Sequence, residues 1–333
     1  MEDRQKISFE SAMLEADNFM ILDLPVKTKI LNPWLTEQEI ILISGWRGTG
    51  KTWFGLSIFD AISRQQPFGP WSIETTVPCL YIDGEMNSGD VQERLMILER
   101  GNHSRRRSPL FIYSDAYANS LGIPRANLRS QRWREQIKGF AIDKGIKLIG
   151  FDNIASLAAG IDENVKREWD PINQWLLELR FSGISSVLFH HTNKEGDQRG
   201  TSAREDNIDI SIMLFQPYDY CSDQGARFIV KFKKTRISTK ELHLLQDYEF
   251  QLTETDRGIE WVWDNPKKRN KAEILRLLDE GITQTDIVKT LGVDKGYVSR
   301  VKTQAIKDGH LSKTGKLTSG GFMAIDSEPE VVS

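Results

Sequence analysis

Two cysteines in 333 residues, Cys79 and Cys221, supply neither a disulfide framework nor a Cys-rich metal-ligand spacing. A chain of this length needs no such staples, and the scarcity points to a reducing compartment, read here as the cytoplasm. Long apolar runs are also missing. IILI, LIGF and VLF fall far short of the ~20 residues that span a bilayer. The opening stretch MEDRQKISFESAML is charged from its second residue and has no apolar signal region. No membrane partner is therefore expected. Internal repeats and low-complexity tracts are absent as well, which excludes solenoids and propellers. An excess of one charge sign is nearly absent, at −3 overall, and this argues at first sight against a nucleic-acid protein.

The total conceals segregation. Residues 266–316 hold twelve Lys/Arg against six Asp/Glu, whereas residues 1–265 hold 32 bases against 38 acids, and the stretch from 317 onward has three acids and no base. A basic C-terminal module therefore follows a mildly acidic body.

In the body, apolar β-rich runs alternate with helical patterns. EIILIS (39–44), CLYIDGE (79–85), LFIYSD (110–115), KLIGFDN (147–153) and SSVLFHH (185–191) are separated by TWFGLSIFDAIS, DVQERLMILER, SQRWREQIKGFAID and PINQWLLELRF. Runs that are apolar throughout belong to strands covered on both faces. Their alternation with helices predicts an α/β fold with a doubly wound, mostly parallel sheet. Residues 226–263, with RFIVKFKK and GIEWVWD, read as strands without helices and are expected to close one sheet edge in antiparallel fashion. DNPKKRN (264–270) reads as a linker.

The run Gly45-Trp46-Arg47-Gly48-Thr49-Gly50-Lys51-Thr52 fits G-x-x-x-x-G-K-[ST] and lies between a strand and a helix, the context a phosphate-binding loop requires. Glycines let successive N–H groups turn toward a phosphate, and the helix N-terminus adds partial positive charge. Gly45, Arg47, Gly48, Thr49, Gly50, Lys51, Thr52 and Trp53 are thus the candidate ATP-binding residues. Lys51 would meet the β- and γ-phosphates, and the Thr52 hydroxyl would ligate Mg²⁺. Asp152, ending KLIGFD, is the candidate carboxylate of the Mg²⁺ shell, a helix N-cap being its plain alternative. The residue after it is Asn153, so an acid that orients water must come from elsewhere. Glu85, ending CLYIDGE, is the first candidate and Asp83 its competitor.

His190 and His191 face opposite sides of a strand, so they cannot both meet one ligand, and no third ligand stands at metal spacing. A histidine there could instead sense the γ-phosphate. The following segment TNKEGDQRGTSARED (192–206) is either a nucleotide-sensitive DNA-contacting loop or a solvated one. Lys233-Lys234-Thr235-Arg236 ends an apolar strand, where cations either deter edge aggregation or reach a neighbour's γ-phosphate.

Taken in order, LPVKTKILNPWL, GWRGTGKTW, LYIDGEMNSGDVQERL, FDNIASL, WLLELR, VLFHHTNKEGDQRGTSAREDNID and ARFIVKFKKTR resemble the RecA-like ATPases of the RepA-type hexameric replicative helicase family of plasmids and mobile elements, over about residues 19–263. The resemblance implies ATP and Mg²⁺ at Lys51, Thr52 and Asp152, a catalytic role for Glu85, phosphate sensing by His191, and a trans-acting finger pair Lys234 and Arg236. It also implies a hexameric ring with single-stranded DNA in a central channel. The channel loops would fall near residues 159–169 and 194–204, with Lys194, Arg199 and Arg204 as contacts.

The C-terminal module departs from the shortest members of that family. Ala272, Ile274, Leu275, Leu277 and Leu278 give one apolar face, Gly281 ends that helix, and Thr283 with Asp286 opens a second. After the turn at Gly292, Asp294 caps a third helix bearing Tyr297, Val298, Val301 and Ile306. This is a helix-turn-helix pattern whose Lys295, Ser299, Arg300 and Lys302 would meet duplex DNA, the alternative being a protein-docking module. The expected division is a lead-in (1–38), a RecA-like ATPase domain (39–263), a linker (264–270), a helix-turn-helix domain (271–316) and a flexible acidic tail (317–333). The function expected is a DNA-bound ATPase ring motor and replicative helicase; the alternative is an ATP-switched DNA-binding regulator or a recombination or repair ATPase without unwinding activity.

Overall fold

The computed structural model describes residues 9–102, 104–161, 166–192, 207–217, 220–256, 258–291, 293 and 295–326. Its body is one nine-stranded sheet. The strands are β3 (Ile40–Gly45), β4 (Cys79–Asp83), β5 (Leu110–Ser114), β6 (Leu148–Asp152), β7 (Ser185–His191), β8 (Ile210–Phe215), β9 (Arg227–Lys234), β10 (Tyr248–Thr255) and β11 (Gly258–Asp264), after a small β1 (Lys29–Leu31) and β2 (Leu35–Thr36) hairpin. The order across the sheet is β11-β10-β9-β8-β3-β7-β6-β4-β5. Strands β8, β3, β7, β6, β4 and β5 are mutually parallel. Strands β9 to β11 extend one edge as an antiparallel meander. The architecture is thus mixed α/β with a large, mostly parallel, doubly wound sheet.

The apolar runs feed two cores by simple alternation. On β3, Ile41 and Ile43 enter one cluster while Ile40 and Leu42 enter the other; on β4, Cys79 and Tyr81 part from Leu80 and Ile82 in the same way. Helices α2 (Lys51–Arg64) and α3 (Ser88–Gly101) lie on the first face, and α5 (Gln131–Asp143) and α7 (Lys166–Phe181) on the second. Two short helices, α4 (Asp115–Ser120) after β5 and α6 (Ile154–Leu157) after β6, fill the turns, and α1 (Ala16–Met20) precedes the hairpin.

Aromatic packing fixes α2. Phe54 meets Phe68, Phe228, Phe250 and Trp261 edge-on, with ring centroids 5.3 to 6.4 Å apart. Each such pair adds about 0.5–1.5 kcal/mol beyond area burial, so the helix that begins at Lys51 is tied to the antiparallel extension.

Three boundaries differ from those expected. The lead-in is not separate from the body, because Ile30, Leu31, Trp34 and Leu35 of the β1–β2 hairpin are fully buried in its core. The proposed linker is mostly helix: α8 (Pro266–Asp279) begins two residues after β11 ends. Proline at the start of a helix has its φ preset and loses no hydrogen bond, and the Lys/Arg run that read as linker has good helix propensity. The stretch after 316 is also structured through Asp326. Leu311 bridges Leu317 in antiparallel fashion, and α11 (Ser319–Asp326) follows. Leu317 and Ile325 pack on the same cluster as α8, α9 (Gln284–Leu291) and α10 (Lys295–Lys307). Gly321 makes this possible, since a Cβ there would sit 2.1 Å from the His310 carbonyl oxygen. Gly292 and Asp294 lie outside the described residues.

Candidate nucleotide site

Every parallel strand ends on the same sheet edge, and the candidate residues gather there because the strand order makes β3, β7, β6 and β4 successive neighbours. Gly45 at the end of β3 pairs in register with His191 at the end of β7, and Asp83 of β4 with Asp152 of β6. Odd-numbered residues of β7 face α2, so His191 looks toward the loop while His190 is buried on the opposite face.

The loop itself is held open by backbone chemistry. Gly48 and Gly50 have φ of +76° and +102°, and a Cβ on Gly50 would lie 2.6 Å from that of Ala226. Thr49 Oγ1 donates to the Trp46 carbonyl at 2.6 Å. Lys51 is 4% exposed and its ammonium donates to the carbonyls of Gly45 and Trp46, both at 2.9 Å. Burial pushes its pKa down to about 8, against the pull of Asp152 and Glu85. The ammonium is thus spent on backbone carbonyls that an anionic phosphate would outcompete. Arg47 projects into solvent at the loop tip. Trp53, one residue past Thr52, carries the Arg94 guanidinium 4.9 Å above its ring.

Asp152 is buried, and its carboxylate accepts from the Thr52 hydroxyl and from the Tyr81 hydroxyl, the latter at 2.7 Å. Burial raises its pKa and the two hydroxyls and Lys51 oppose that rise. A hydroxyl and a carboxylate in direct contact are hard oxygen donors of the kind Mg²⁺ takes. The residues present therefore fit a Mg²⁺–phosphate ligand, with Thr52 and Asp152 as holders.

Beside this pair Glu85, Asn153 and His191 form a trio. The Asn153 side-chain amide donates to Glu85 Oε2 and stands 3.0 Å from His191 Nε2, which is itself 3.5 Å from Glu85 Oε2. Desolvation first, and then the Lys51 charge, depress the His191 pKa, against the pull of Glu85. Asp83 is placed differently from Glu85. It is 1% exposed, and its Oδ1 accepts the backbone N–H groups of Met86 at 2.8 Å and Glu85 at 3.3 Å. It shapes the turn that presents Glu85, whose side chain is 55% accessible. Burial raises the Asp83 pKa to about 6, with Asp152 as the next cause.

Lys234 and Arg236 are not brought to this edge. Strand β9 runs antiparallel, so its end pairs near Ser211 at the opposite side of the sheet, and Arg236 is ion-paired with Asp209 at 3.0 Å. Across the six residues of β3 that is about 17 Å from the loop. Lys194, Arg199 and Arg204 lie outside the described residues. On α10, Lys295, Ser299 and Arg300 are exposed and Lys302 is half-buried. A groove of about 630 Å³ lined by Lys271, Tyr297, Ser299 and Arg300 runs beside them.

Sequence reasoning did not single out Tyr81 or Asn153. The signal for Tyr81 is its i, i+2 relation to Asp83 on a buried strand, with Gly55 facing it on α2. A Cβ at Gly55 would meet the Tyr81 hydroxyl at 2.8 Å and Phe189 Cζ at 2.5 Å.

A strand, a glycine loop with a buried lysine, a helix beginning at that lysine and a hydroxyl–carboxylate pair on adjacent strand ends define a P-loop nucleotide-binding domain. The chain belongs to the AAA domain family, whose model matches residues 6–197. It is accordingly a P-loop ATPase domain protein. No curated protein matches the chain. Among solved structures, a KaiC-like protein from the hyperthermophilic archaeon Pyrococcus horikoshii OT3 is similar at 16% identity and a TM-score of 0.48, over 71% of this chain and 99% of that one. No helix among the described residues is long and apolar enough to cross a membrane, and none of their His, Cys, Asp and Glu residues form a metal-binding group of three.

Proposed function

We propose that the protein is an ATP-hydrolysing, RecA-like ring motor that works on DNA, a replicative helicase of the RepA type from a plasmid or mobile element. The observation that carries the reading is the convergence of Lys51, Thr52, Asp152, Glu85, Asn153 and His191 on one sheet edge while Arg236 sits on the other. Such an arginine serves a γ-phosphate only when another copy supplies it, which favours a closed homo-oligomer, most simply a hexamer.

Mg²⁺ held by Thr52 and Asp152 would neutralise charge on the β- and γ-phosphate oxygens. Lys51 exchanges its carbonyl partners for phosphate oxygens. Glu85 accepts a proton from water as the water oxygen bonds to the γ-phosphorus. The bond from that phosphorus to the bridging oxygen breaks, and its electron pair leaves on ADP. Asn153 and His191 couple Glu85 to the γ-phosphate through their shared hydrogen bonds. Arg236 of the neighbouring copy, released from Asp209, would stabilise the transition-state charge, an effect worth ~10³–10⁵ in rate.

The C-terminal helices α8 to α10 share a core of their own, with Ile274, Ile287 and Val298 fully buried. Their basic face suits a helix-turn-helix holding duplex DNA, and single-stranded DNA would pass through the ring. That self-contained module also favours a second reading, an ATP-switched DNA-binding regulator. ATP turnover measured beside strand displacement on forked DNA separates the two. DNA-stimulated hydrolysis without unwinding, at high protein concentration, overturns the helicase reading. Deletion of residues 266–333 is expected to weaken duplex binding and flatten its salt dependence, and an unchanged slope removes the duplex-anchor role.

A further inference from the structure

The carboxylate of Asp83, at the end of β4, is only half accounted for by the turn it shapes. Its Oδ1 accepts the backbone N–H groups of Met86 and Glu85. Its Oδ2 is buried as well, and among the described residues no group donates to it. A carboxylate oxygen that has left water without gaining a donor is costly, and native folds keep few of them.

The sheet shows what kind of partner is wanted. Asp83 and Asp152 are register partners on adjacent parallel strands, whose backbones run about 4.8 Å apart. The Gly84 N–H donates to the Asp152 carbonyl at 2.7 Å and holds the two strand ends together. Alternation sends Cys79 and Tyr81 of β4, and Leu148 of β6, to the face that α2 covers. The same period puts both aspartates on that face, where α2 begins at Lys51 and Thr52. Asp152 is the strongest charge acting on Asp83, and Glu85 adds to it. Like charges so placed repel. The Lys51 ammonium bonds to neither aspartate, because the carbonyls of Gly45 and Trp46 hold it.

We propose that Asp83 is the second carboxylate of the Mg²⁺ site: its Oδ2 accepts from a water of the ion's shell, while Thr52 and Asp152 hold the ion. Mg²⁺ gives up its waters reluctantly and takes one or two carboxylates. Such an ion meets both needs at once, since its bound water supplies the missing donor and its charge offsets the paired aspartates. Asp83 is thereby a positioning residue, acting on the metal through water and not on the phosphate. This role rests on Thr52 and Asp152 as Mg²⁺ holders, deepens that site, and is independent of the motor reading.

Asp83→Asn in the full chain tests it, because the amide keeps an oxygen for the Met86 and Glu85 N–H groups and removes the acceptor and charge at Oδ2. Mn²⁺ serves as the probe ion, its binding read from the loss of the free-ion spin-resonance signal in the presence of a non-hydrolysable ATP analogue. The variant is expected to bind Mn²⁺ about 10–100-fold more weakly than the parent, while its affinity for the analogue in chelator stays within twofold. Asp83→Ser, which keeps an oxygen for the turn but no charge, repeats the measurement should the asparagine variant fold poorly. A loss of Mn²⁺ affinity smaller than tenfold overturns the proposal. So does an equal loss of analogue affinity in chelator, which would leave Asp83 a purely structural role. A parent that binds the analogue equally well with Mn²⁺ and in chelator would instead remove Thr52 and Asp152 as metal holders, and Asp83 with them.

Discussion

Replacing Tyr81 with phenylalanine deletes one oxygen, 2.7 Å from Asp152 Oδ2, and leaves the ring. The ring keeps its edge contact with Phe59 at 5.2 Å and its tilted contact with Phe189 at 5.9 Å, so no cavity of consequence forms. What is lost is a hydrogen bond to a carboxylate, worth about 1.5–3 kcal/mol. Both groups are buried, so water does not replace it. Burial already raises the Asp152 pKa, and the Tyr81 hydroxyl is one of the influences holding it down. Its removal moves the pKa further up and lowers the charged fraction that would hold Mg²⁺. Outer partners of metal ligands typically carry a 10–100-fold effect on affinity. Tyr81→Phe is therefore expected to raise the Mg²⁺ concentration for half-maximal ATP turnover by about that factor, with nucleotide binding in the absence of Mg²⁺ altered by much less. The defect should shrink as pH rises. Mg²⁺ titrations of turnover at two pH values, beside a fluorescent-nucleotide titration in chelator, make the measurement. A half-saturation point within twofold of the parent, with a lowered unfolding midpoint, would refute the reasoning and leave the hydroxyl a purely structural role.

Glu85→Gln is expected to cut turnover by ~10²–10⁴ while nucleotide still binds; intact turnover would move the water-orienting role to another acid. Lys51, its pKa lowered to about 8, gains full charge against phosphate. Nucleotide binding near and above pH 8 should therefore take up protons, and affinity should fall as pH rises past 8, read by calorimetry in buffers of different ionisation enthalpy. The linked stability term has the opposite slope. A depressed lysine costs stability below pH 8, and that cost is relieved between about 8 and 10.5. Arg64 is fully buried and bonds Asp60 at 2.8 Å and Glu99 at 2.6 Å, while Arg106 holds the second Asp60 oxygen at 2.7 Å. Arg64→Met strips a buried carboxylate of one partner and should cost about 3–5 kcal/mol in urea unfolding; a loss under about 1 kcal/mol would show that Arg106 alone suffices.

The strand runs were legible because each has a continuous apolar stretch at its centre, and the same property hid which residue faces which core until the alternation was seen in place. The loop Gly45–Thr52 was legible because its chemistry is local: glycine conformations, one lysine and one hydroxyl within eight residues. Glu85 and Asp83 are a residue apart from each other on either side of Gly84, and no pattern separates them. Burial does, because Asp83 spends an oxygen on two backbone N–H groups while Glu85 stays accessible. The stretch 264–270 reads as a linker because Pro, Asn and a charge run are turn and linker composition, and 317–333 reads as a tail because it is acidic and lacks a helical apolar period. In the fold the proline starts a helix, and Gly321 admits α11 to the module's core.

By itself, then, the sequence determined whatever depends on neighbours along the chain: alternating strands and helices, the phosphate loop, and a basic module behind an acidic body. Only the tertiary structure decided which strand ends meet. The order β3-β7-β6-β4 brings Asn153 between Glu85 and His191, puts Tyr81 under Asp152, and sends Arg236 to the far edge. The reason is that strand order is set by how helices cover both faces of the sheet, a global packing solution that no local spacing encodes.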